Sequence, residues 1–433
     1  MAVTLRALQT VVPPTVLVQD EVRDIFAAQP GLSRLAQRLV TTSFTMSGID
    51  TRHTVIEELT LDSTATDPQF FDAATRRLLV PGTRVRNELY IEQATTLFVE
   101  AGRRALAACP GLDAADITHV VTVSCTGFYA PGPDYMLVRE LGLAPSTQRY
   151  HLGFMGCYAA MPALRMAKQF VQADPNAVVL VVSAELCSLH LRTSSDPDTI
   201  VASSLFSDGA AAGIVSSRPP VAGETAADLD VFETVITPVG EADMAWKIGD
   251  EGFEMILSSY VPHIIDEHIE AALAPLIGRD EPLTRALADG LVAEAGSLAA
   301  QADPGGPGGP GDSGDSGGSG GPGLAGRVLT APAPASAAAA GSTLSSAIAH
   351  WAIHPGGRSI LDKTEAKLGL TEAQLLPSRE TLRTNGNMSS ATILFVIKAI
   401  LDGESTADGD RVCAMAFGPG LTVESGLMTV RRG

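Results

Sequence analysis

The sequence has few aromatic residues, few cysteines and no long apolar run. Aromatic residues make up 5% of the 433 residues, and the five cysteines lack the spacing of a disulfide framework. Apolar runs such as 177–182 are far shorter than the roughly 20 residues that a membrane-spanning helix needs. No charged and apolar leader opens the chain. We therefore expect a cytoplasmic protein without disulfides or membrane spans.

Basic residues are also scarce relative to acidic ones. Thirty Lys and Arg stand against 49 Asp and Glu, which gives a net charge of −19. Charge of this sign repels the phosphates of nucleic acids and of anionic membranes, so neither is expected as a partner. The histidines show no metal-ligand spacing, and no metal is expected.

The length and the apolar pattern indicate a layered α/β protein. A chain of this length, 45% hydrophobic, exceeds one usual core. Segments 118–124 and 177–184 read as strands buried on both faces, which is typical of a mostly parallel sheet covered by helices. A similar run of strands and helices recurs between 347 and 417, which indicates a duplication.

One segment of the second half has a composition that does not form a core. Residues 304–323 contain only Gly, Pro, Ser and Asp, and an Ala/Pro run follows at 331–340. Such segments bury too little apolar surface to offset the entropy of ordering. We interpret 277–341 as a disordered, flexible insertion in which 283–302 can form a helix.

Cys157 is the strongest candidate nucleophile. It follows the apolar stretch 150–155 and opens a helix of small residues. Unpaired N–H groups at a helix start favour a thiolate, which predicts a lowered thiol pKa. The alternative is an ordinary buried cysteine, which is the commoner case.

His354 and Asn387 have contexts that match a role beside this thiol. His354 ends an apolar strand and is followed by Pro-Gly-Gly, and Asn387 opens another buried helix. Segments 156–160 and 386–390 share a Gly, a functional residue, a spacer and a small pair. Cys, His and Asn together suit acyl transfer through an enzyme-bound thioester.

Several separate motifs resemble the type III polyketide synthases, the chalcone-synthase-like branch of the thiolase fold. They are CTGFYAPG at 125–132, FMGC at 154–157, LFSDGAA at 205–211, HPGG at 354–357, GNMSS at 386–390 and AFGPG at 416–420. The resemblance covers nearly the whole chain outside the insertion. It implies a thiolase-like αβαβα layered fold of two duplicated halves, 1–218 with Cys157 and 219–433 with His354 and Asn387.

The resemblance also implies a reaction. An acyl-CoA loads Cys157, while His354 and Asn387 stabilise the enolate formed when malonyl-CoA loses CO₂. Repeated condensation gives a polyketide that closes into a ring without a metal, nicotinamide or flavin cofactor. The pattern at 246–253 looks like that of bacterial alkylresorcinol and alkylpyrone synthases, which favours a long-chain fatty acyl-CoA starter.

Further residues take roles from the resemblance. Phe206 corresponds to the gate between the CoA tunnel and the cavity, and Met255 replaces a second aromatic residue and widens the passage. The predicted cavity residues, for which core packing is the alternative, are Cys125, Cys187, His190, Ser389 and Pro419. The predicted CoA contacts are Arg34, Arg38 and Arg52. Segment 129–133 matches the dimer-contact loop of the family, so a homodimer is expected.

Other interpretations remain open at the level of sequence. A ketoacyl-carrier-protein synthase uses the same three residues for a single condensation, and an acyl carrier protein can be the acyl donor instead of CoA. A papain-like hydrolase also uses Cys, His and Asn, although its Cys-Gly-Ser-Cys-Trp type of signature is absent. An inactive homologue would bind acyl groups or act as a scaffold.

Overall fold

The computed structural model describes residues 1–289 and 344–433. The strands are β1 (Thr4–Val11), β2 (Thr15–Val18), β3 (Thr51–Thr54), β4 (Phe71–Asp72), β5 (Arg77–Leu78), β6 (His119–Ser124), β7 (Gln148–Gly153), β8 (Val178–Leu186), β9 (Asp208–Ser216), β10 (Thr225–Ile236), β11 (Met244–Gly249), β12 (Gly252–Leu257), β13 (His350–Ile353), β14 (Arg411–Gly418) and β15 (Thr422–Arg432). The helices are α1 (Gln19–Ala27), α2 (Arg34–Met46), α3 (Thr83–Ala107), α4 (Pro133–Glu140), α5 (Ala160–Ala173), α6 (Pro197–Leu205), α7 (Val261–Gly278), α8 (Arg358–Leu368), α9 (Glu372–Asn385) and α10 (Thr392–Leu401). None of the helices in these two ranges is long and apolar enough to cross a membrane.

Nine strands form one mixed sheet, and the same arrangement of four paired strands occurs in each half of it. The order is β13-β14-β15-β10-β1-β9-β8-β6-β7, and β1 pairs with β10 antiparallel in its middle. From this pair each half runs outward through two antiparallel pairings and then one parallel pairing: β1-β9-β8-β6 in the first half and β10-β15-β14-β13 in the second. Strand β7 extends the first half by a further parallel pairing.

The prediction of a mostly parallel sheet is wrong. Only the pairings β6–β7, β6–β8 and β13–β14 of the large sheet are parallel. The reason is that helices cover both faces of the sheet. A strand between two helical layers is apolar on both faces whatever its direction, so the apolar runs predict burial correctly and direction incorrectly.

The helices and the two half-sheets form five layers. In β6, Val121 and Val123 belong to the core that contains α5 and α10, whereas Val120 points to the opposite face and packs in the core of α3 and α4. The outer face of the second half packs against α7, α8 and α9. Helices α5 and α10 therefore form a shared central layer, and the chain has the predicted thiolase-like αβαβα fold.

The first residues of the predicted insertion are packed. Residues 277–278 end α7, residues 281–289 are helical, and Leu283 is buried in the core of the second half. The buried carboxylate of Asp280 forms an ion pair with Arg411. The assignment of 277–289 to a flexible insertion is therefore wrong. The rest of the predicted insertion, 290–341, lies outside the described residues.

A buried ion pair ties the central strand β1 to the turn that precedes β10. Arg6 Nε donates to Glu224 Oε1 at 2.9 Å, and Arg6 Nη2 donates to Oε2 at 2.6 Å and to the carbonyl of Pro110 at 2.9 Å. The two side chains are only 2% and 7% exposed. Removal of one partner leaves the other charge buried and unpaired, which is strongly unfavourable.

We predict that Arg6→Ala lowers the free energy of unfolding by about 3 to 5 kcal/mol, as measured by urea denaturation. The double variant Arg6→Met, Glu224→Leu should recover much of this loss because no charge is then buried. Arg23→Ala, which removes an exposed pair with Asp20, is the control and should change the midpoint little. Equal shifts of the urea midpoint in Arg6→Ala and Arg23→Ala would contradict a special role for the buried pair.

Candidate active site

Cys157 lies in the turn between β7 and α5. The residue before it, Gly156, has a φ of 80°, and a Cβ atom there would lie 2.3 Å from Cδ of Pro419. Only glycine combines this backbone conformation with so close a neighbour. The turn places Cys157, which is 8% exposed, against Phe206 and Cys187 in a small buried cluster.

His354 comes from the second half and follows the last residue of β13. Its backbone N–H donates to the carbonyl of Met415 at 2.8 Å, and its own carbonyl accepts from the N–H of Gly356 at 2.9 Å. The strand pairing and this tight turn fix the backbone on both sides of the imidazole. The side chain is buried, and neither ring nitrogen has a hydrogen-bond partner within the described ranges.

Asn387 is held against the segment that carries the predicted gate. Its backbone N–H donates to the carbonyl of Leu205 at 2.9 Å, and it pairs in parallel with Phe206. Its side-chain Oδ1 accepts from the N–H of Ser389 at 2.9 Å. With the oxygen fixed, the amide nitrogen points the other way and donates to the carbonyl of Gly356 at 3.5 Å.

Neighbouring segments connect the three predicted catalytic residues. Ser389 lines the same cavity as Cys157, its hydroxyl lies 3.4 Å from the thiol of Cys125, and its N–H donates to the side-chain oxygen of Asn387. The amide of Asn387 then reaches Gly356, which lies two residues after His354. Cys157 of the first half and His354 and Asn387 of the second half are therefore all buried, and they lie on segments that adjoin one another through Phe206, Ser389 and Gly356.

Burial keeps both the thiol and the imidazole uncharged in this structure. Burial raises the pKa of Cys157 to about 12, and the hydroxyl of Ser389 offsets this only in part. Burial also lowers the pKa of His354 to about 3. The prediction of a lowered thiol pKa is therefore wrong, because α5 begins only at Ala160 and desolvation outweighs the helix start. A neutral imidazole is able to accept a proton.

A narrow cavity with a volume of about 20 Å³, room for about one water molecule, lies beside Cys157. Six of the predicted gate and cavity residues line it: Cys125, Cys187, Phe206, Met255, Ser389 and Pro419. Met244 and Trp246, on the hairpin β11–β12, also line it but are missing from the predicted set. The indole N–H of Trp246 donates to the carbonyl of Cys125 at 2.8 Å, which ties the hairpin to the first half.

His190 is a neutral structural residue beside this cavity. Its Nε2 donates to the carbonyl of Thr126 at 2.8 Å, and its Nδ1 accepts from the N–H of Phe253 at 3.0 Å. The ring also stacks on Phe253 with the centroids 4.2 Å apart, and burial lowers the pKa of His190 to about 3. His190 lines the pocket next to the Cys157 cavity and holds the hairpin in place.

Glu185 is a buried acid that the sequence analysis did not identify. It accepts hydrogen bonds from the N–H of Cys125 at 2.9 Å, from its thiol at 3.3 Å and from the hydroxyl of Thr126 at 2.9 Å. The hydroxyl of Ser390 also donates to it. Burial raises the pKa of Glu185. The sequence feature that could have identified Glu185 is that it is a single acidic residue within the apolar run of β8.

The arginines predicted to contact CoA lie in different environments. Arg34 and Arg38 are exposed on α2. Arg52 is fully buried, and its Nη1 donates to the carbonyls of Ser203 at 2.9 Å and of Phe206 at 2.7 Å. The prediction that Arg52 contacts CoA phosphates is wrong, because its guanidinium supports the backbone next to the gate and does not reach the surface.

The fold and this site define an acyltransferase of the thiolase type, and comparison with known proteins gives the family. Residues 2–219 match the N-terminal domain of the chalcone and stilbene synthases, and residues 337–431 match the C-terminal domain. The chain belongs to this family, the type III polyketide synthases. This assignment excludes the papain-like hydrolase and the ketoacyl-carrier-protein synthase.

Individual relatives agree with the family over nearly the whole chain. Bisdemethoxycurcumin synthase of Oryza sativa subsp. japonica is 28% identical over 449 residues, which cover 98% of this chain and 91% of the relative. The C-terminal type III polyketide synthase domain of Steely1 from Dictyostelium is 25% identical, with a TM-score of 0.76 and 99% of each chain covered. The 1,3,6,8-tetrahydroxynaphthalene synthase of Streptomyces coelicolor A3(2) shares the fold at 24% identity, with a TM-score of 0.72 and 99% of this chain and 100% of that chain covered.

We predict that alkylation of Cys157 by iodoacetamide accelerates steadily from about pH 6 to about pH 9. The thiolate fraction of a thiol with a pKa of about 12 rises about tenfold per pH unit throughout this range. A preformed thiolate–imidazolium pair would instead react at a nearly constant rate. Mass spectrometry of the peptide that contains Cys157 gives the rate, and Cys157→Ser is the control. A plateau within the range would show that the resting pair is charged.

Proposed function

We propose that this type III polyketide synthase loads a long-chain fatty acyl group from CoA onto Cys157. It then extends the group with malonyl-CoA and closes the product into an alkylresorcinol or an alkylpyrone. The observation that carries the proposal is that Ser389, which lines the cavity beside Cys157, binds Asn387, and that Asn387 in turn binds Gly356 in the segment of His354. These contacts support a nucleophile, a base and an amide donor that act on one thioester.

Loading uses the neutral imidazole. His354 takes the proton of the Cys157 thiol, and the thiolate attacks the carbonyl carbon of the acyl-CoA. The bond from this carbon to the CoA sulfur breaks, and the leaving sulfur takes the proton from His354, so CoA leaves as a thiol and the imidazole is neutral again. Cys157 now holds the acyl group as a thioester, which divides one difficult condensation into two easier steps.

Extension uses the two N–H donors of the second half. The carboxylate of malonyl-CoA leaves as CO₂, and its electron pair moves into the thioester to form an enolate. The N–H of the neutral His354 imidazole and the amide of Asn387 donate to the enolate oxygen, and each contributes about 3 to 4 kcal/mol where water is excluded. The enolate carbon attacks the thioester, and the released Cys157 thiolate takes up a proton from solvent.

The apolar gate assists the loss of CO₂. Phe206 is 4% exposed and packs in one cluster with Cys157, Cys187 and Met255. Apolar side chains around a carboxylate provide no hydrogen bonds to it, so the charged group is disfavoured relative to neutral CO₂. Met255 is unbranched and flexible, so it can move aside when a chain passes.

The soft lining of the cavity supports a fatty acyl starter. The thiols of Cys125 and Cys187 and the thioethers of Met244 and Met255 line the space beside Cys157. These side chains are polarisable and adapt to an alkyl chain, which requires no polar partner.

We also propose that the protein acts as a homodimer through the segment 129–133. Two aromatic residues beside this segment, Phe128 and Tyr135, are 40% and 37% exposed in the single chain. Exposed aromatic side chains are enriched at protein interfaces. A second copy that covers them would remove their apolar surface from water.

Product analysis tests the proposed reaction. Purified protein is incubated with hexadecanoyl-CoA and isotope-labelled malonyl-CoA, and the products are identified by mass spectrometry. We expect ring-closed products that contain several malonyl-derived units. A single β-keto product without a ring would contradict the proposal. A parallel incubation with the same acyl group on an acyl carrier protein shows which donor is used.

We predict that substitutions separate loading from extension. Cys157→Ala should abolish the acyl adduct seen by intact mass spectrometry. Asn387→Ala should keep the adduct but slow malonyl-CoA decarboxylation by about 100-fold to 1,000-fold, because one enolate donor is lost. Asn385→Ala is the matched control, since the Asn385 side chain binds Thr381 and Thr384 outside the cavity. Undiminished decarboxylation in Asn387→Ala would refute the role of Asn387 as an enolate donor. Absence of the acyl adduct from the wild-type protein would favour the alternative that the protein is an inactive scaffold.

A further inference from the structure

The two pockets beside Cys157 are too small for the proposed starter. The cavity at Cys157 and the pocket next to it each have a volume of about 20 Å³. Pockets that enclose a whole ligand usually have about 300 Å³ or more. A two-carbon acyl group needs little more room than the cavity provides. A long alkyl chain on Cys157, by contrast, requires that one wall of the cavity moves.

The hairpin β11–β12 is the wall that can move. It forms a two-stranded sheet of its own, whereas the other walls lie next to strands of the large sheet or just before α10. At the base of the hairpin, Met244 pairs with Leu257, and both are buried in the core of the second half. The base is therefore fixed and can act as a hinge for the tip.

Thr83, the first residue of α3, holds the tip of the hairpin against the first half. Its backbone N–H donates to the carbonyl of Asp250 at 2.8 Å, and its hydroxyl donates to the carbonyl of Gly249. The same hydroxyl accepts from the N–H of Gly252 at 2.8 Å. One hydroxyl thus binds the residues on both sides of the turn, although Thr83 lines neither pocket.

The tip also fits closely between two side chains of the first half. Gly252 has a φ of 106°, and a Cβ atom there would lie 2.9 Å from Cδ and Nε of Arg86 and 3.3 Å from Nδ1 of His190. The stack of Phe253 on His190 further favours this closed position. The turn residue Asp250 is exposed, so water can reach the tip and replace its bonds to Thr83.

We propose that the hairpin opens as a lid for long starters and that the hydroxyl of Thr83 determines how often it opens. In the closed state, Trp246 and Met255 fill the space beside Cys157. When the tip leaves α3, these side chains move away, and an alkyl chain takes their place. Thr83 is therefore a positioning residue that sets the accepted length of the starter. The inference rests on the proposed function, because a long acyl group must be attached to Cys157.

The test compares starter loading in variants of Thr83. Intact mass spectrometry gives the rates at which acetyl-CoA and hexadecanoyl-CoA form an adduct on Cys157, and the measured quantity is the ratio of the hexadecanoyl rate to the acetyl rate. Thr83→Val keeps the shape of the side chain but removes two hydrogen bonds of the closed state. Because a larger fraction of the protein is then open, we expect the ratio to rise by about 5-fold to 50-fold.

Two further variants are the controls. Thr83→Ser keeps the hydroxyl and should retain the ratio of the wild type. Thr96→Val removes a hydroxyl from an exposed position of the same helix, where it donates only to the carbonyl of Glu92. This variant should also leave the ratio unchanged.

Hydrogen exchange provides a measurement that does not depend on an acyl group. The N–H groups of Gly252 and Phe253 bind Thr83 and His190, so opening of the tip exposes them to water. Their exchange should be about 5-fold to 50-fold faster in Thr83→Val than in the wild type. The exchange of α5 and the thermal unfolding of the protein should not change.

The outcomes separate this inference from the proposed function. A higher ratio and faster exchange in Thr83→Val, with both controls unchanged, support the inference. An unchanged ratio, an equal loss of loading with both starters, or unchanged exchange of Gly252 and Phe253 overturns it. If hexadecanoyl-CoA forms no adduct with the wild type or with any variant, the fatty acyl starter of the proposed function is wrong, and the role of the hairpin in starter choice is wrong with it.

Discussion

The backbone pairing between Phe206 and Asn387 is the contact on which the rest of the site depends. It joins the gate of the first half to the amide donor of the second half through hydrogen bonds of 2.9 Å. The buried guanidinium of Arg52 donates to the carbonyl of Phe206 and fixes this segment from the opposite side. The gate and the amide therefore keep a fixed spacing, which is what stabilisation of a developing oxyanion requires.

The same burial that assembles the site keeps it unreactive without a substrate. The thiol and the imidazole are both neutral because desolvation disfavours their charged forms. In the proposed mechanism the imidazolium exists only while the thiolate attacks the acyl-CoA, before the leaving CoA sulfur takes up the proton. Reactivity thus depends on the substrate, and the resting thiol is protected from unrelated electrophiles.

The sequence predicted those features that local pattern determines. Apolar runs located β6 and β8, and short motifs located Cys157, His354 and Asn387, because each lies at the end of a strand or before a helix. Strand direction was not predictable, since helices on both faces hide it. Arg52 was predicted to contact CoA at the surface, because only the tertiary fold shows that it is buried. Trp246 was not predicted to line the cavity, because only the tertiary fold brings its hairpin over a cavity formed by distant segments.

The hairpin β11–β12 forms its own two-stranded sheet, separate from the large one, yet it supplies walls to both pockets. Its attachment through His190 and Trp246 relies on few hydrogen bonds and on aromatic stacking. Apart from Met244 and Leu257, which belong to the core of the second half, mutations in this hairpin can accumulate during evolution without disturbing the main core. Divergence in the range of accepted starters can then proceed faster than divergence in the condensation chemistry, which resides on the more constrained framework.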